Sequence, residues 1–241
     1  MKNKIAAIIL GAGKGTRMNS DRPKVLMPVC GKPMINHIID TLKTLPADDI
    51  ITVISAEGQD VAAAVAPYKT CVQEKQLGTG HAVNCAKELL NGFTGTVLVV
   101  FGDTPLITAK TFKRAAQKVE DGFAVVVLGF TPADAGRYGR LIMEGQELKR
   151  IVEYKDASPE ERAVTFCNSG VMAFDGRYLF KILERIGNQN AAGEFYLTDA
   201  IEVAQNMGLK CSALEGNPEE VASANTLEEL AQLEVYYKKA S

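Results

Sequence analysis

The chain has 241 residues, 46% hydrophobic and 23% charged, which excludes wholesale disorder and, at about 150 residues per domain, leaves room for one large domain or a main domain with a lobe. Lys+Arg 27 against Asp+Glu 29 gives a formal charge of -2. That excludes the basic excess a general nucleic-acid or anionic-membrane binder needs, although a local basic pocket stays open. Cys30, Cys71, Cys85, Cys167 and Cys211 are scattered without a Cys-x-x-Cys pair. Neither a structural zinc nor a complete disulfide framework is therefore expected, and buried reduced thiols in a cytoplasmic protein are the natural reading.

From the N-terminus, Lys2-Asn3-Lys4 before Ile5 to Leu10 has the outline of a signal peptide. The apolar run is too short and passes directly into Gly11-Ala12-Gly13-Lys14-Gly15-Thr16-Arg17, and no stretch approaches the roughly 18 apolar residues of a membrane helix. Ile5 to Leu10 reads instead as a strand buried on both faces, and comparable runs recur at Ile50 to Ile54, Thr96 to Phe101 and Ala124 to Leu128. Helical spacing separates them. Pro33 to Leu45 places Met34, Ile35, Ile38, Ile39 and Leu42 on one face behind an initial proline, and Glu57 to Val65, Thr79 to Leu90 and Ala109 to Val119 are further candidates. This alternation predicts an α/β fold with a doubly wound, mostly parallel sheet covered on both faces.

The pattern changes after Phe130. Tyr138 to Met143, Glu144-Gly145-Gln146 and Glu147 to Glu153 predict a hairpin around a glycine turn. A strand follows at Thr165 to Phe174, helices at about Arg177 to Arg185 and Thr198 to Met207, a strand near Lys210 to Leu214, and a last helix from Leu227 to Lys239. We read one domain over 1–241: a main part to about 134, a mixed α+β lobe at about 135–225 laid against the sheet, and a C-terminal helix at about 226–240. No repeat of roughly 20–50 residues and no hexapeptide repeat is visible.

The glycine-rich segment after the first strand admits three readings. A Rossmann dinucleotide loop wants Gly-x-Gly-x-x-Gly, but the third glycine comes one residue early at Gly15, and Glu57 is the only acid near the end of the second strand. A P-loop fails because Thr16, not Lys, follows Gly15. The third reading uses Arg17, Arg22 and Lys24: fixed cations beside a loop whose backbone N–H groups can approach a phosphate are suited to holding a triphosphate. A solvated charged loop is the plain alternative, which the strand-end position disfavours.

Gly11-x-Gly13-x-Gly15-Thr16-Arg17-Met18 followed by Pro23-Lys24 resembles the signature of the sugar-nucleotide pyrophosphorylases. Gln73 to Ala82 (QEKQLGTGHA), Phe101-Gly102-Asp103, Tyr138-Gly139-Arg140, Ile151-Val152-Glu153, Asn168-Ser169-Gly170 and Gly193 to Asp199 (GEFYLTD) narrow the resemblance. In order and approximate spacing they are similar to the pyrophosphorylase domain of the N-acetylglucosamine-1-phosphate uridylyltransferases, from Ile5 to Asn225. The resemblance implies a Rossmann-like nucleotidyltransferase that joins UTP to N-acetylglucosamine 1-phosphate with Mg²⁺, in the cytoplasm, as a monomer or weak homo-oligomer, with the lobe binding the sugar. It implies supply of UDP-N-acetylglucosamine for cell-wall synthesis. It does not extend to a hexapeptide-repeat acetyltransferase domain, which nothing in this sequence encodes.

The implied site residues each carry a plainer reading. Arg17 and Lys24 would hold phosphates. Asp103, at a strand end where α/β sheets bind ligands, would hold Mg²⁺, or else cap a following helix that Pro105 partly blocks. Asn225 is a second metal ligand by resemblance alone; by position it is a helix N-cap before Leu227. Gln73 and Gly78-Thr79 would read uracil, because an amide donates and accepts at once. Leu10, Gly11, Ala12 and Gly13 would complete the base and ribose contacts, with Phe101 and Gly102 beside them. Thr79 is equally a helix N-cap, and His81 is a packing residue rather than a base. Gly139, Glu153, Asn168, Tyr196 and Thr198 are the implied sugar set; singly, Gly139 reads as a strand bend, Glu153 as surface charge and Tyr196 as core. Two departures from the family's usual residues, Phe101 for Tyr and Met27 for His, touch no proposed charge. The competing functions are a pyrophosphorylase for dTTP or another sugar phosphate, a non-catalytic sugar-nucleotide sensor, and a Rossmann oxidoreductase.

Overall fold

A computed structural model describes residues 4–13 and 22–240. In chain order the elements are β1 (Ile5–Leu10), β2 (Pro28–Val29), β3 (Lys32–Pro33), α1 (Met34–Lys43), β4 (Ala47–Ser55), α2 (Gln59–Val65), β5 (Lys69–Gln73) and α3 (Thr79–Asn84). Then come β6 (Thr96–Phe101), α4 (Ala109–Glu120), β7 (Val125–Phe130), β8 (Arg140–Glu144), β9 (Glu147–Val152), α5 (Pro159–Arg162), β10 (Cys167–Asp175), α6 (Leu179–Leu183), α7 (Ala200–Asn206), β11 (Cys211–Glu215) and α8 (Leu227–Ala240).

The main sheet runs β11-β7-β10-β6-β1-β4-β5, with the β8–β9 hairpin attached through β10. β1 pairs in parallel with both β4 and β6, β4 with β5, and β7 with β11; β10 is antiparallel to β6 and β7. The apolar runs are continuous because both faces are covered. Ala7 and Ile9 of β1, Leu98 and Val100 of β6 and Val126 and Leu128 of β7 join one core with Ile35, Ile38 and Leu42 of α1 and Phe112 and Ala116 of α4. The alternate residues Ala6 and Ile8, Val97 and Val99, Val125 and Val127 join the other, with Ile182 of α6, Ile201 of α7 and the hairpin's Leu141 and Leu148. Each fully buried Ile or Leu contributes about 2–3 kcal/mol by leaving water, so the sheet is the rigid frame on which the loops at its strand ends are mounted.

The structure differs from the sequence reading at several elements. The region after residue 135 packs its hairpin, α6 and α7 on one face of the sheet and also enters it, supplying β10 to the sheet's middle and β11 to its edge. The helix expected to Leu90 stops at Asn84, with a separate 3₁₀ turn at Glu88–Leu90. The helix expected from Thr198 begins as a 3₁₀ turn, Leu197–Asp199, before α7. β5 was absent from the expectation, as was the β2–β3 hairpin, whose turn places Cys30 (φ 48) and Gly31 (φ 80) in the left-handed region. α8 packs Leu233 onto Val29 and Met34 beside that hairpin, and the Cys30 N–H donates to Glu234 Oε1 at 2.9 Å. Among the described residues no helix is long and apolar enough to cross a membrane.

Candidate active site

A cavity of about 350 Å³ opens where β1, β5 and β6 end. Leu10, Ala12, Gly13, Lys24, Gln73, Gly78, Thr79, Phe101, Asp103 and Asn225 all line it, together with Val25, Gln76, Ala82 and Glu194. Gly11 and Gly102 sit behind this lining as the backbone that shapes it. The Gly11 N–H donates to Val53 O at 2.8 Å and the Gly102 N–H to Leu10 O at 2.9 Å, which carries β1 pairing one residue past each strand end. A Cβ at Gly102 would meet Val25 Cγ1 at 2.8 Å, so glycine lets the Lys24–Leu26 turn close over β6.

Lys24 is the hub of the site. Its ammonium forms an ion pair with Asp103 Oδ2 and donates to Asn225 Oδ1 at 2.9 Å, with the Lys24 and Asp103 side chains only 13% and 18% exposed. Three segments far apart in sequence thus meet: the turn before β2, the end of β6 and the chain before α8. Glu229 Oε2 accepts from the Asn225 N–H at 2.5 Å and fixes that last segment. Among the described residues no group of three or more His, Cys, Asp or Glu converges as a self-contained metal centre. Asp103 and Asn225 nevertheless present two hard oxygens to one cationic point, a donor set that fits Mg²⁺, which takes few protein ligands and fills its shell with water and phosphate.

On the opposite wall, Gln73 is buried, and its Nε2 donates to Gly78 O at 3.1 Å and lies 3.0 Å from His81 Nδ1. With Nδ1 as acceptor both amide hydrogens are used inside the protein, and the Gln73 carbonyl oxygen is then the group that faces a ligand. Gly78 (φ 108) is clamped by the Glu194–Leu197 segment: Phe195 N–H donates to Leu77 O at 2.8 Å, Gly80 N–H to Phe195 O at 2.8 Å, and Leu197 N–H to Thr79 Oγ1 at 2.9 Å. Thr79 therefore does not cap α3 with its hydroxyl. Gln76, outside the expected set, donates from Nε2 to Ala12 O at 2.6 Å and ties this segment to the glycine-rich loop. Its sequence signal was its place in the same ten-residue run as Gln73 and Thr79.

Four of the five expected sugar residues assemble separately. Asn168 N–H donates to Gly139 O at 2.8 Å, Thr198 Oγ1 to Glu153 Oε1 at 3.4 Å, and Gly139 lies against Glu153. Tyr196 lies two residues before Thr198, and burial first, then the Asp156, Glu194, Glu153 and Asp199 charges, lift its phenol above the ordinary range. Burial lifts the Glu153 carboxyl above the ordinary carboxylate range, opposed by its bond from Thr198. Asp199, also unexpected, is pushed up to about 6 by burial first and then by Glu202, Glu153 and Asp156. Buried Arg140 supports the patch from beneath: Nη1 donates to Ala135 O at 3.1 Å and to Tyr138 O, Nη2 to Gly136 O at 3.0 Å, and Nε to Arg162 O at 3.3 Å. One link joins this patch to the cavity: Gly170, whose N–H donates to Asn168 Oδ1, lies against the Phe101 ring. Arg17 lies outside the described residues. Burial pushes the Cys71 and Cys211 thiols up to about 12, away from the thiolate form a nucleophile needs.

Residues 7–237 match the MobA-like NTP transferase domain. The chain belongs to this family. This NTP transferase domain is 51% identical over 233 residues to the bifunctional protein GlmU of Rhodospirillum rubrum, covering 96% of the chain and 52% of that protein. It is 47% identical to the bifunctional protein GlmU of Paramagnetospirillum magneticum, with 96% and 52% covered. The chain thus spans about half the length of the curated relatives it matches. Among solved structures, it superposes with TM-score 0.77 and 21% identity on a Bacillus anthracis protein described as a glucose-1-phosphate thymidylyltransferase in complex with a sucrose, covering 96% of this chain and 94% of that one. It superposes with TM-score 0.74 and 18% identity on UDP-glucose pyrophosphorylase complexed with UDP-glucose, covering all of both chains. At these identities the NTP transferase shares their fold.

Proposed function

We propose that this NTP transferase domain converts UTP and N-acetylglucosamine 1-phosphate to UDP-N-acetylglucosamine and pyrophosphate. The observation that carries the reading is the meeting of Lys24, Asp103 and Asn225 in a cavity walled by Gln73, Gly78 and Thr79, with Asn168 of the sugar patch linked to the cavity's Phe101 through Gly170. The base and sugar follow from the resemblance of the Gln73–Ala82 and Gly193–Asp199 runs and their companions to the N-acetylglucosamine-1-phosphate uridylyltransferases, and 51% and 47% identity to two GlmU proteins supports it.

In this reading uracil enters against Ala12 and the Gln73 carbonyl oxygen, which accepts from the ring N–H. Lys24 and Arg17 hold the triphosphate. Glu153 accepts from sugar hydroxyls, Asn168 pairs with a hydroxyl or the acetamide, and Gly139, Tyr196 and Thr198 shape the rest of the sugar patch. A sugar-phosphate oxygen attacks the α-phosphorus in line with departing pyrophosphate; it is already an anion, so no strong general base is required. Bringing two polyanions together is the main barrier, and fixed cations and alignment lower it. Asp103 and Asn225 would hold Mg²⁺, which supplies charge neutralisation at the phosphate oxygens. We assign the glycine-rich part to the nucleotide, the region after 135 to the sugar, and the enzyme to the cytoplasm.

Pyrophosphate release from the purified chain with UTP, Mg²⁺ and N-acetylglucosamine 1-phosphate, beside mixtures with glucose 1-phosphate, dTTP or chelator, tests this. Release in the first mixture alone is expected. Release with another pair overturns the sugar or base assignment, and binding of UTP without turnover in any mixture overturns the reaction in favour of a sensor.

A further inference from the structure

We infer that the Lys24 ammonium is a built-in stand-in cation, which holds Asp103 and Asn225 assembled until a divalent ion and a triphosphate arrive and must then leave them. The inference rests on the proposed nucleotidyl transfer and deepens it. The resemblance casts Lys24 as a phosphate ligand and Asp103 with Asn225 as a separate metal pair. The structure places all three in one contact: Nζ pairs with Asp103 Oδ2 and donates to Asn225 Oδ1 at 2.9 Å.

The two functions compete in this arrangement. An ammonium bonded to Asp103 Oδ2 and Asn225 Oδ1 competes with a metal ion for those oxygens, and it keeps only one of its three N–H donors for a phosphate. The contact is also little hydrated, with Lys24 13% and Asp103 18% exposed, so removing the lysine takes from a poorly solvated carboxylate the counter-charge bonded to it. Exchange resolves both problems. When phosphate oxygens recruit Lys24, the oxygen pair is freed, and a divalent ion restores the lost positive charge. Metal capture is thereby tied to triphosphate arrival, and Lys24 is a positioning residue for the pair before it touches substrate. Chain geometry allows this motion, because Lys24 sits in a short 3₁₀ turn with a flexible four-carbon stem while its oxygen partners come from the ends of β6 and the α8 lead-in.

The test is Mn²⁺ binding, followed by electron paramagnetic resonance or calorimetry in the absence of nucleotide, to wild type and Lys24→Met. If the ammonium holds the pair about nine-tenths of the time, apparent affinity in wild type is reduced about tenfold, so Lys24→Met binds Mn²⁺ about tenfold more tightly or better. Adding Asp103→Asn to Lys24→Met abolishes the gain. Lys24→Gln, which keeps a polar side chain and removes the charge, serves if the methionine variant does not fold. Equal affinity in wild type and variant overturns the inference, as does a gain that survives Asp103→Asn. Mn²⁺ binding in neither protein, while wild type still turns UTP over only with a divalent ion, overturns the exchange and leaves the reaction standing. No turnover with any divalent ion removes the reaction itself.

Discussion

Gly78→Ala is the substitution whose consequences the structure fixes most tightly. Gly78 has φ 108, and an added Cβ would meet Phe195 O at 2.6 Å and Phe195 N at 2.8 Å. Both are backbone atoms, held by the Phe195 N–H to Leu77 O and Gly80 N–H to Phe195 O bonds, so neither can turn aside as a side chain would. With ψ 173 as well, Gly78 occupies a region that is essentially closed to L-residues, at a cost of about 1–3 kcal/mol. Moving the 194–197 segment away breaks two hydrogen bonds at about 1 kcal/mol each. A total of about 3–5 kcal/mol lowers Tm by roughly 6–20 °C, at about 2–4 °C per kcal/mol for a domain of this size. The damage is also local to the cavity, because the same movement displaces Gly78, Thr79 and Glu194 from its wall. Thermal unfolding and UTP titration on the same preparation read both effects, and UTP affinity is expected to fall with Tm. A Tm within about 2 °C of wild type and unchanged UTP affinity would refute the clamp.

Asp103→Asn keeps the fold and reduces divalent-dependent turnover by about 10²–10³-fold, as loss of one focused electrostatic group does; near-normal kcat would remove Asp103 from the reacting centre. Gln76→Ala releases the hydrogen bond to Ala12 O and raises the KM for UTP with little change in kcat, read by initial rates at saturating sugar phosphate. Asp199→Asn reports on the crowded carboxylates. The folded-state value near 6 lies above the ordinary 3.8, so the folded protein binds more protons than the unfolded chain between about pH 4 and 6, and Asp199 subtracts stability as pH rises through that window. The variant therefore has a higher Tm than wild type at pH 7–8 and an equal one near pH 4, and a gap of the same size at both pH values would contradict the assignment.

The central strands were legible because burial on both faces writes itself as an unbroken apolar run, as in Ile5 to Leu10 and Thr96 to Phe101. β5 left no such trace. Lys-Thr-Cys-Val-Gln lies at the sheet edge with one neighbouring strand and Val72 43% exposed, so neither run nor clean alternation was required of it. The β2–β3 hairpin turns on Cys30-Gly31 between prolines instead of the usual Asn-Gly. The place of β10 between β6 and β7 is a tertiary fact, and no local periodicity encodes which strands become neighbours. The site shows the same division. Asp103 and the 10–13 loop were marked by their positions at strand ends, and Gln73 by the resemblance of its ten-residue run. Gln76 and Asp199 were not, because one acts by a hydrogen bond across 64 positions and the other by burial beside acids that are scattered in sequence. Nothing in the order of residues announced that Lys24, Asp103 and Asn225 would share one contact.

The most direct test of the account is a crystal structure of the chain with UDP-N-acetylglucosamine and Mg²⁺. The account places the uracil N–H within hydrogen-bond distance of Gln73 Oε1, the diphosphate beside Lys24 and Asp103, and the sugar against Gly139, Glu153 and Asn168. A nucleotide sugar bound outside the cavity, or one whose sugar turns away from Glu153 and Asn168, would contradict the claim that the two sets of residues form one active site.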